Sequence, residues 1–308
     1  MSETTQRGKM RICPSCSALN SADFDRCIRC NNRLDRPPSP RVERFADRVG
    51  GDDFLATKGL VALTLGLYAL QMMAMLAETG GKLDIGRMLM SGGSPATVFR
   101  FGALPPGLAA VTAQPFRLLS AVFVHFGLVH LGMNMLGLTN LGRIAEPAVG
   151  SARLVVAYVV TGIVGFATST VWTAASGDIG ATTAGASGAI FGVMGLILGF
   201  MLRRRDPRWK QFAVQAVFYS VIFGFMMNAS SSGMKINNAA HLGGLVSGTL
   251  FGIAYAGQRP RRDLWVNIAA GLSIAACAAS LLLAQRAAPV RARPDPLDGL
   301  LEIRPEPR

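Results

Sequence analysis

Charge is scarce in this sequence, and carboxylates are scarcest where the chain is most apolar. Only 16% of the 308 residues are charged while 50% are hydrophobic, against about a quarter charged in soluble domains. That balance excludes an ordinary soluble enzyme. Histidine occurs only at His125, His130 and His241. No H-E-x-x-H pair is present, so zinc-assisted hydrolysis from one helix has no ligands. No Asp or Glu falls inside an apolar run, which removes a buried aspartate pair as catalyst. Tandem repeats are absent, as are the inverted repeats and paired broken helices of a transporter. The first apolar run opens near residue 54, so no secretory signal peptide is expected.

What is present is a set of apolar blocks close to the ~20 residues that cross a bilayer as helix. We read seven, at about 57–77, 117–141, 153–175, 186–202, 212–228, 239–257 and 264–285. The net charge of +13 would point to nucleic acid on a soluble chain. Here the cations fall between blocks, as RRRDPRWK at 203–210 and QRPRRD at 258–263, and no nucleic-acid partner is expected. Positive residues in short loops mark the cytoplasmic side. A third loop, carrying Arg143 and Arg153, falls on the same side by count. The expected topology has a cytoplasmic N-terminus and an outside C-terminus, with Arg286, Arg291 and Arg293 running against it. The expected fold class is an all-α polytopic membrane protein.

Ahead of the blocks, ICPSCSALNSADFDRCIRC sets Cys13, Cys16, Cys27 and Cys30 in two C-x-x-C pairs. Four thiolates in two tight turns suit tetrahedral Zn²⁺. Free thiols, disulfides or iron are the alternatives, and disulfides are disfavoured in a reducing cytoplasm. So short a segment could hardly bury a core without the metal. The expected organisation is a tail at 1–10, a small cytosolic zinc ribbon at 11–34 that docks a protein partner or regulates, and a Pro-rich linker at 35–54. A membrane core at 55–257 follows, then a loop with a seventh helix at 258–285 and a basic tail at 286–308. Cys277 reads as a small core residue.

Inside the blocks the few polar residues cluster. HFGLVHLGMNMLGL puts His130 and Asn134 four apart on one helix face, with His125 at its mouth. AAHLGGLVSGTLFG aligns His241 with Gly244, Gly248 and Gly252, and GASGAIFG opens the fourth block with Ser187 beside Gly188 and Gly192. Ionisable groups in membrane spans are functional by default, whereas small residues there let helices approach closely. Ser187 alone reads equally as packing. With His241 at the same depth, it reads as a nucleophile with its base. His130, Asn134 and the Ser187 amide could hold the oxyanion. With no carboxylate in the spans, a pair is expected rather than a triad.

At these residues the sequence resembles the rhomboid family of intramembrane serine proteases. The resemblance rests on the His125-His130-Asn134 spacing, on Gly185-Ala186-Ser187-Gly188, and on Ala240-His241-Leu242-Gly243-Gly244. The stretch GRIAEPAVGSARL at 142–154 resembles the family's loop after its second helix, and PFR at 115–117 its aromatic-arginine segment, with Phe116 in place of tryptophan. The resemblance implies a six-helix core, with the seventh helix and the ribbon as additions. It implies Ser187 as nucleophile, His241 as base, an oxyanion and substrate site of His130, Asn134 and Gly185, and His125 in support. Phe191 stands where the family carries a tyrosine, which keeps stacking on the base but no hydroxyl. Catalysis would need no cofactor.

The implied activity is cleavage of transmembrane protein substrates near the outer interface, and the Arg/Ala/Gly-rich composition without a targeting sequence points to a bacterial plasma membrane. The alternative is a catalytically inactive rhomboid-like protein that binds transmembrane helices. For the ribbon, metal analysis of the purified chain is expected to find about one zinc per chain, lost when Cys13 and Cys16 are changed to Ser. A metal-free parent would remove the ribbon assignment.

Overall fold

The computed structural model describes residues 10–13, 19–21, 24–31, 33–34, 54–82, 84–176, 181–228, 237–257 and 264–287. Cys16, the linker after Leu34, the 229–236 and 258–263 connections and the tail beyond Ala287 lie outside the described residues. The chain divides into two units, Met1–Asp53 and Phe54–Arg308.

In the first unit, β1 (Met10–Ile12) and β2 (Leu19–Ser21) pair antiparallel, with Arg11 opposite Asn20. The turn that follows is held by the buried Asn20, whose Oδ1 accepts the Ile28 amide at 2.9 Å. Cys13, Cys27 and Leu34 form the only buried hydrophobic cluster among its described residues. Three side chains make no sufficient core, which is the condition in which small domains depend on a metal.

The second unit is helical. Long helices occupy the places of all seven apolar blocks: α1 (Leu55–Glu78), α6 (Gly127–Val149), α7 (Ser151–Ser176), α8 (Ser187–Arg203), α9 (Trp209–Asn228), α10 (Asn238–Ala256) and α11 (Leu264–Arg286). Between α1 and α6 lie four short helices, α2 (Ile85–Met90), α3 (Pro95–Arg100), α4 (Leu108–Ala113) and α5 (Arg117–Ser120), the last running into a 3₁₀ turn at Ala121–Phe123. By length and composition α1, α7, α10 and α11 can each cross a membrane. A fifth span results if α5 with its 3₁₀ turn and α6 count as one, bent by 93°. At 17 residues α8 is shorter, reaching about 25 Å against a hydrocarbon core of about 30 Å.

The second block therefore starts ten residues later than its apolar run. Arg117, expected to open that span, is fully buried. Its Nη1 donates to the carbonyls of Phe99 (2.7 Å) and Ala103 (3.1 Å), its Nε to Gln114 Oε1, and its guanidinium stacks on the Phe99 ring. A cation so bonded belongs to the short-helix layer, and the chain turns into α6 only at Gly127. Gly127 has φ +83°, and a Cβ there would strike the Leu89 carbonyl.

The stretch 142–154 is likewise not a loop. Helix α6 runs to Val149 and α7 starts at Ser151, with Gly150 alone between them. Arg153, counted as a loop cation above, is buried over the Tyr255 ring. Glu146 explains the tight corner. Its carboxylate accepts the Ala56 and Thr57 amides (2.8 and 2.9 Å), the Thr57 hydroxyl and the Ser151 hydroxyl (both 2.6 Å). The N-cap of α1, Phe54, supplies no side-chain bond. A carboxylate from 90 residues away thus caps α1, as amide donors at a helix N-terminus require.

Helix α8 is the centre, packed by α10, α7 and α6. Its contact with α10 is backbone on backbone. A Cβ on Gly244 would fall on the Gly188 carbonyl, one on Gly248 on the Gly192 carbonyl, and one on Gly252 on the Leu196 carbonyl. The two glycine stripes read from the sequence face each other. We expect Gly248→Ala to destabilise the fold by about 1–3 kcal/mol. Gly132→Ala, with nothing within 4 Å of the new methyl, should be neutral or stabilising by up to ~1 kcal/mol. Reversible unfolding in mixed micelles would compare them, and equal stabilities would refute the close approach.

Candidate active site

The close packing of α8 on α10 brings two side chains 54 residues apart into contact. His241 Nε2 lies 2.8 Å from Ser187 Oγ. Ser187 is the first residue of α8, where amides lack intrahelical acceptors and the dipole is positive. Phe191, one turn on, lies flat against the His241 ring, with centroids 4.2 Å apart and planes within 6°. No carboxylate bonds His241 among the described residues. Serine on one edge and phenylalanine on one face fix the imidazole.

The segment entering Ser187 is held from three sides. Thr183 and Leu104 exchange backbone hydrogen bonds at 2.9 Å, and the Gly185 amide donates to the Ala121 carbonyl at 2.9 Å. The Ala186 amide donates to His125 Nε2 at 3.4 Å. Since His125 Nε2 accepts, a neutral ring carries its hydrogen on Nδ1, which faces the Phe123 carbonyl at 3.2 Å. His125 therefore bridges the 3₁₀ turn to the residue before the serine. Its own carbonyl accepts from the buried Gln71 of α1.

His130 has the opposite arrangement. Its Nδ1 accepts the Phe126 amide at 3.3 Å, so a neutral ring carries its hydrogen on Nε2. That edge faces Gly185, where a Cβ would sit 2.9 Å from Nε2 and 2.6 Å from Cε1. Gly185 also has φ +126°, a conformation that side chains rarely adopt. A donor is thus aimed at the backbone two residues before Ser187. Asn134 is buried, but its Nδ2 bonds the His130 carbonyl one turn back at 2.8 Å. It supports the helix that presents His130.

Asn237 was not singled out from the sequence. Its Oδ1 caps α10 through the Ala240 amide at 3.0 Å, and its Nδ2 reaches Ser169 on α7 at 2.5 Å and Thr183 at 3.4 Å. One side chain thus fixes the start of the helix carrying His241 against the segment carrying Ser187. An asparagine three residues before Ala240, just ahead of an apolar run, is an N-cap signal that could have found it.

In the first unit, Cys13, Cys27 and Cys30 bring their sulfurs within 4.8 Å of one another, with Cys13 and Cys30 at 3.6 Å. A Zn–S bond of about 2.3 Å in a tetrahedron sets sulfurs about 3.8 Å apart. The Cys13–Cys30 pair lies near that spacing, and the three sulfurs together could hold such a metal.

Residues 112–258, from the end of α4 through α10, match the rhomboid domain family. The chain is 31% identical over 194 residues to Rhomboid protease GluP of Bacillus subtilis (strain 168), covering 60% of this chain and 36% of that protein. It is 31% identical over 165 residues to Rhomboid-like protease 5 of Toxoplasma gondii, covering 52% and 18%. With RHOMBOID-like protein 1 of Arabidopsis thaliana the figures are 30% over 166 residues, 53% and 40%. The chain therefore spans less than half the length of each of these relatives. With its apolar helices, the match makes this a multi-pass membrane protein.

Gly185 gives the direct test of the site geometry. Gly185→Ala combines a disfavoured φ with a clash against His130, and we expect a loss of about 1–3 kcal/mol. Thermal unfolding in detergent would measure it, and a wild-type midpoint would mean that His130 does not face Gly185.

Proposed function

The chain carries a rhomboid domain, and on that premise we propose that it is an intramembrane serine endopeptidase using Ser187 and His241. The observation that carries this reading is the 2.8 Å contact between Ser187 Oγ and His241 Nε2 at the start of a helix about 5 Å shorter than the hydrocarbon core. With its arginine end at one interface, α8 sets Ser187 about 5 Å below the opposite hydrocarbon boundary.

His241 Nε2 takes the Ser187 proton as Oγ attacks a substrate carbonyl, and returns it to the leaving amine. A water then attacks the acyl-enzyme with His241 again as base. The carbonyl oxygen becomes an oxyanion, for which the His130 Nε2–H and the Ser187 amide are preplaced donors. Asn134 joins them if its amide turns from the His130 carbonyl. Gly185, lacking a side chain, lets the His130 ring close onto the backbone that leads into Ser187. His125 and Asn237 keep nucleophile and base in register.

The substrates are single-span membrane proteins whose helices unwind near the outer interface, since a helical peptide bond hides its carbonyl from attack. The N-terminus is cytoplasmic, the C-terminus lies outside, and the membrane is a bacterial plasma membrane. All seven long helices contribute to the membrane core, the last as an addition to the six-helix pattern. In the ribbon, Cys13, Cys16, Cys27 and Cys30 hold a structural zinc, which orders the two turns and takes no part in hydrolysis. Its role is to dock a protein partner.

The test uses the purified full chain with a model single-span substrate and a fluorophosphonate probe. Parent protein should cleave and become labelled. Ser187→Ala and His241→Ala should each reduce cleavage by at least ~10³-fold and abolish labelling. Cleavage by Ser187→Ala at the parental rate would sink the assignment. A parent that binds the substrate helix without cleaving it would favour the inactive, helix-binding alternative.

A further inference from the structure

A cleft with a charged mouth lies away from Ser187. Helix α9 packs on α8, and between it, α8 and the C-terminal turns of α6 a cavity of about 400 Å³ remains. That volume falls within the roughly 300–1,000 Å³ of small-molecule sites. Its walls are mostly apolar, including Ile144 and Ala148 of α6, Ile197 and Phe200 of α8, and Phe212 of α9, with Gln211 and Gln215 of α9 also lining it. Its mouth is charged. Arg208 and Asp206 line it, and the Arg204 guanidinium sits 4.4 Å over the ring of Phe200.

The connection at this mouth carries Arg203, Arg204, Arg205, Arg208 and Lys210 against one carboxylate, Asp206. The five cations are exposed. Asp206 neutralises only one of them, accepting Nε and Nη2 of Arg208 at 3.0 and 2.7 Å. Those hydrogen bonds hold the Asp206 carboxyl below its ordinary value. Arg205 takes a left-handed conformation (φ +53°) where the chain leaves α8 for α9, with Arg204 and Arg208 the two arginines placed at the mouth. Trp209 begins α9 there with Lys210 over its ring, as aromatic side chains do at a membrane interface.

An apolar slot opening under a cationic rim matches one kind of molecule. We propose that this cleft binds an anionic glycerophospholipid, with one acyl chain between α6 and α9 and the phosphate against Arg204 and Arg208. The membrane setting rests on the apolar helices and not on the Ser187–His241 reading, so the two can fail separately. Basic pockets between membrane helices take acidic headgroups by simple charge complementarity. An acyl chain alone would satisfy the walls but leave the uncompensated charge at the rim without a partner.

Native mass spectrometry of the full chain in detergent tests this by titrating phosphatidylglycerol, phosphatidylcholine and glycerol phosphate. We expect a saturable phosphatidylglycerol adduct, with phosphatidylcholine at least about fivefold weaker and glycerol phosphate not retained. Ala148→Phe, which fills the slot, and the double change Arg204→Gln with Arg208→Gln should each weaken the phosphatidylglycerol adduct by about fivefold or more. The arginine pair is exposed, so that variant remains informative where Ala148→Phe fails to fold. Equal binding of the two lipids would reduce the cleft to an ordinary acyl contact and overturn the proposal. So would competition by glycerol phosphate, unchanged binding in the arginine variant, or a dimer that Ala148→Phe dissolves.

Discussion

The structure depends on one constraint, the absence of side chains along the line where α8 meets α10. Gly244, Gly248 and Gly252 lie against the carbonyls of Gly188, Gly192 and Leu196, so the helices touch through their backbones. At that separation a serine on one helix and a histidine on the other reach hydrogen-bond distance without either leaving its helix. In lipid there is little hydrophobic force to drive helices together, and close van der Waals packing takes its place. The packing surface and the Ser187–His241 contact are thus two consequences of one stripe.

A second requirement follows from burial. Polar groups away from water must find partners or cost several kcal/mol, and here they find them between segments. Glu146 ties α6 to the starts of α1 and α7, and Arg117 gathers the carbonyls of Phe99 and Ala103. Gln71 joins α1 to Gly92 and to the His125 carbonyl. His125 passes that connection on to Ala186, next to Ser187. Helices far from the serine in sequence therefore help to fix its backbone. Asn237 does the same for the helix of His241. These buried polar residues hold in place the segments that carry Ser187 and His241.

Helix positions were legible in the sequence because a membrane helix satisfies its backbone within one segment. An apolar run is then nearly sufficient to define it. The read blocks fell on helices, and the three histidines, Asn134 and Ser187 stood out because polar groups are so few there. The reading failed where a residue's partner lies elsewhere in the chain. Arg117 looked like the start of a span and is a buried anchor of the short-helix layer. Arg153 looked like a loop cation and is buried over Tyr255. Residues 142–154 looked like a loop, because nothing local reveals that Glu146 caps a helix 90 residues earlier. Asn237 differs: its capping role was legible locally, and only its bonds to Ser169 and Thr183 depend on packing.

The sequence by itself determined which segments are helical and apolar, where their glycine faces run, and which few side chains in them can do chemistry. Those properties follow from composition and from the 3.6-residue period. The tertiary structure decided which faces meet, which tautomers the histidines are held in, and where an arginine or glutamate loses its water. Those outcomes turn on distances of an ångström or less between atoms brought together only by packing. The cationic connection after α8 shows the division clearly. Its charge is written in the sequence, whereas the apolar cleft beneath it exists only because α9 packs on α8.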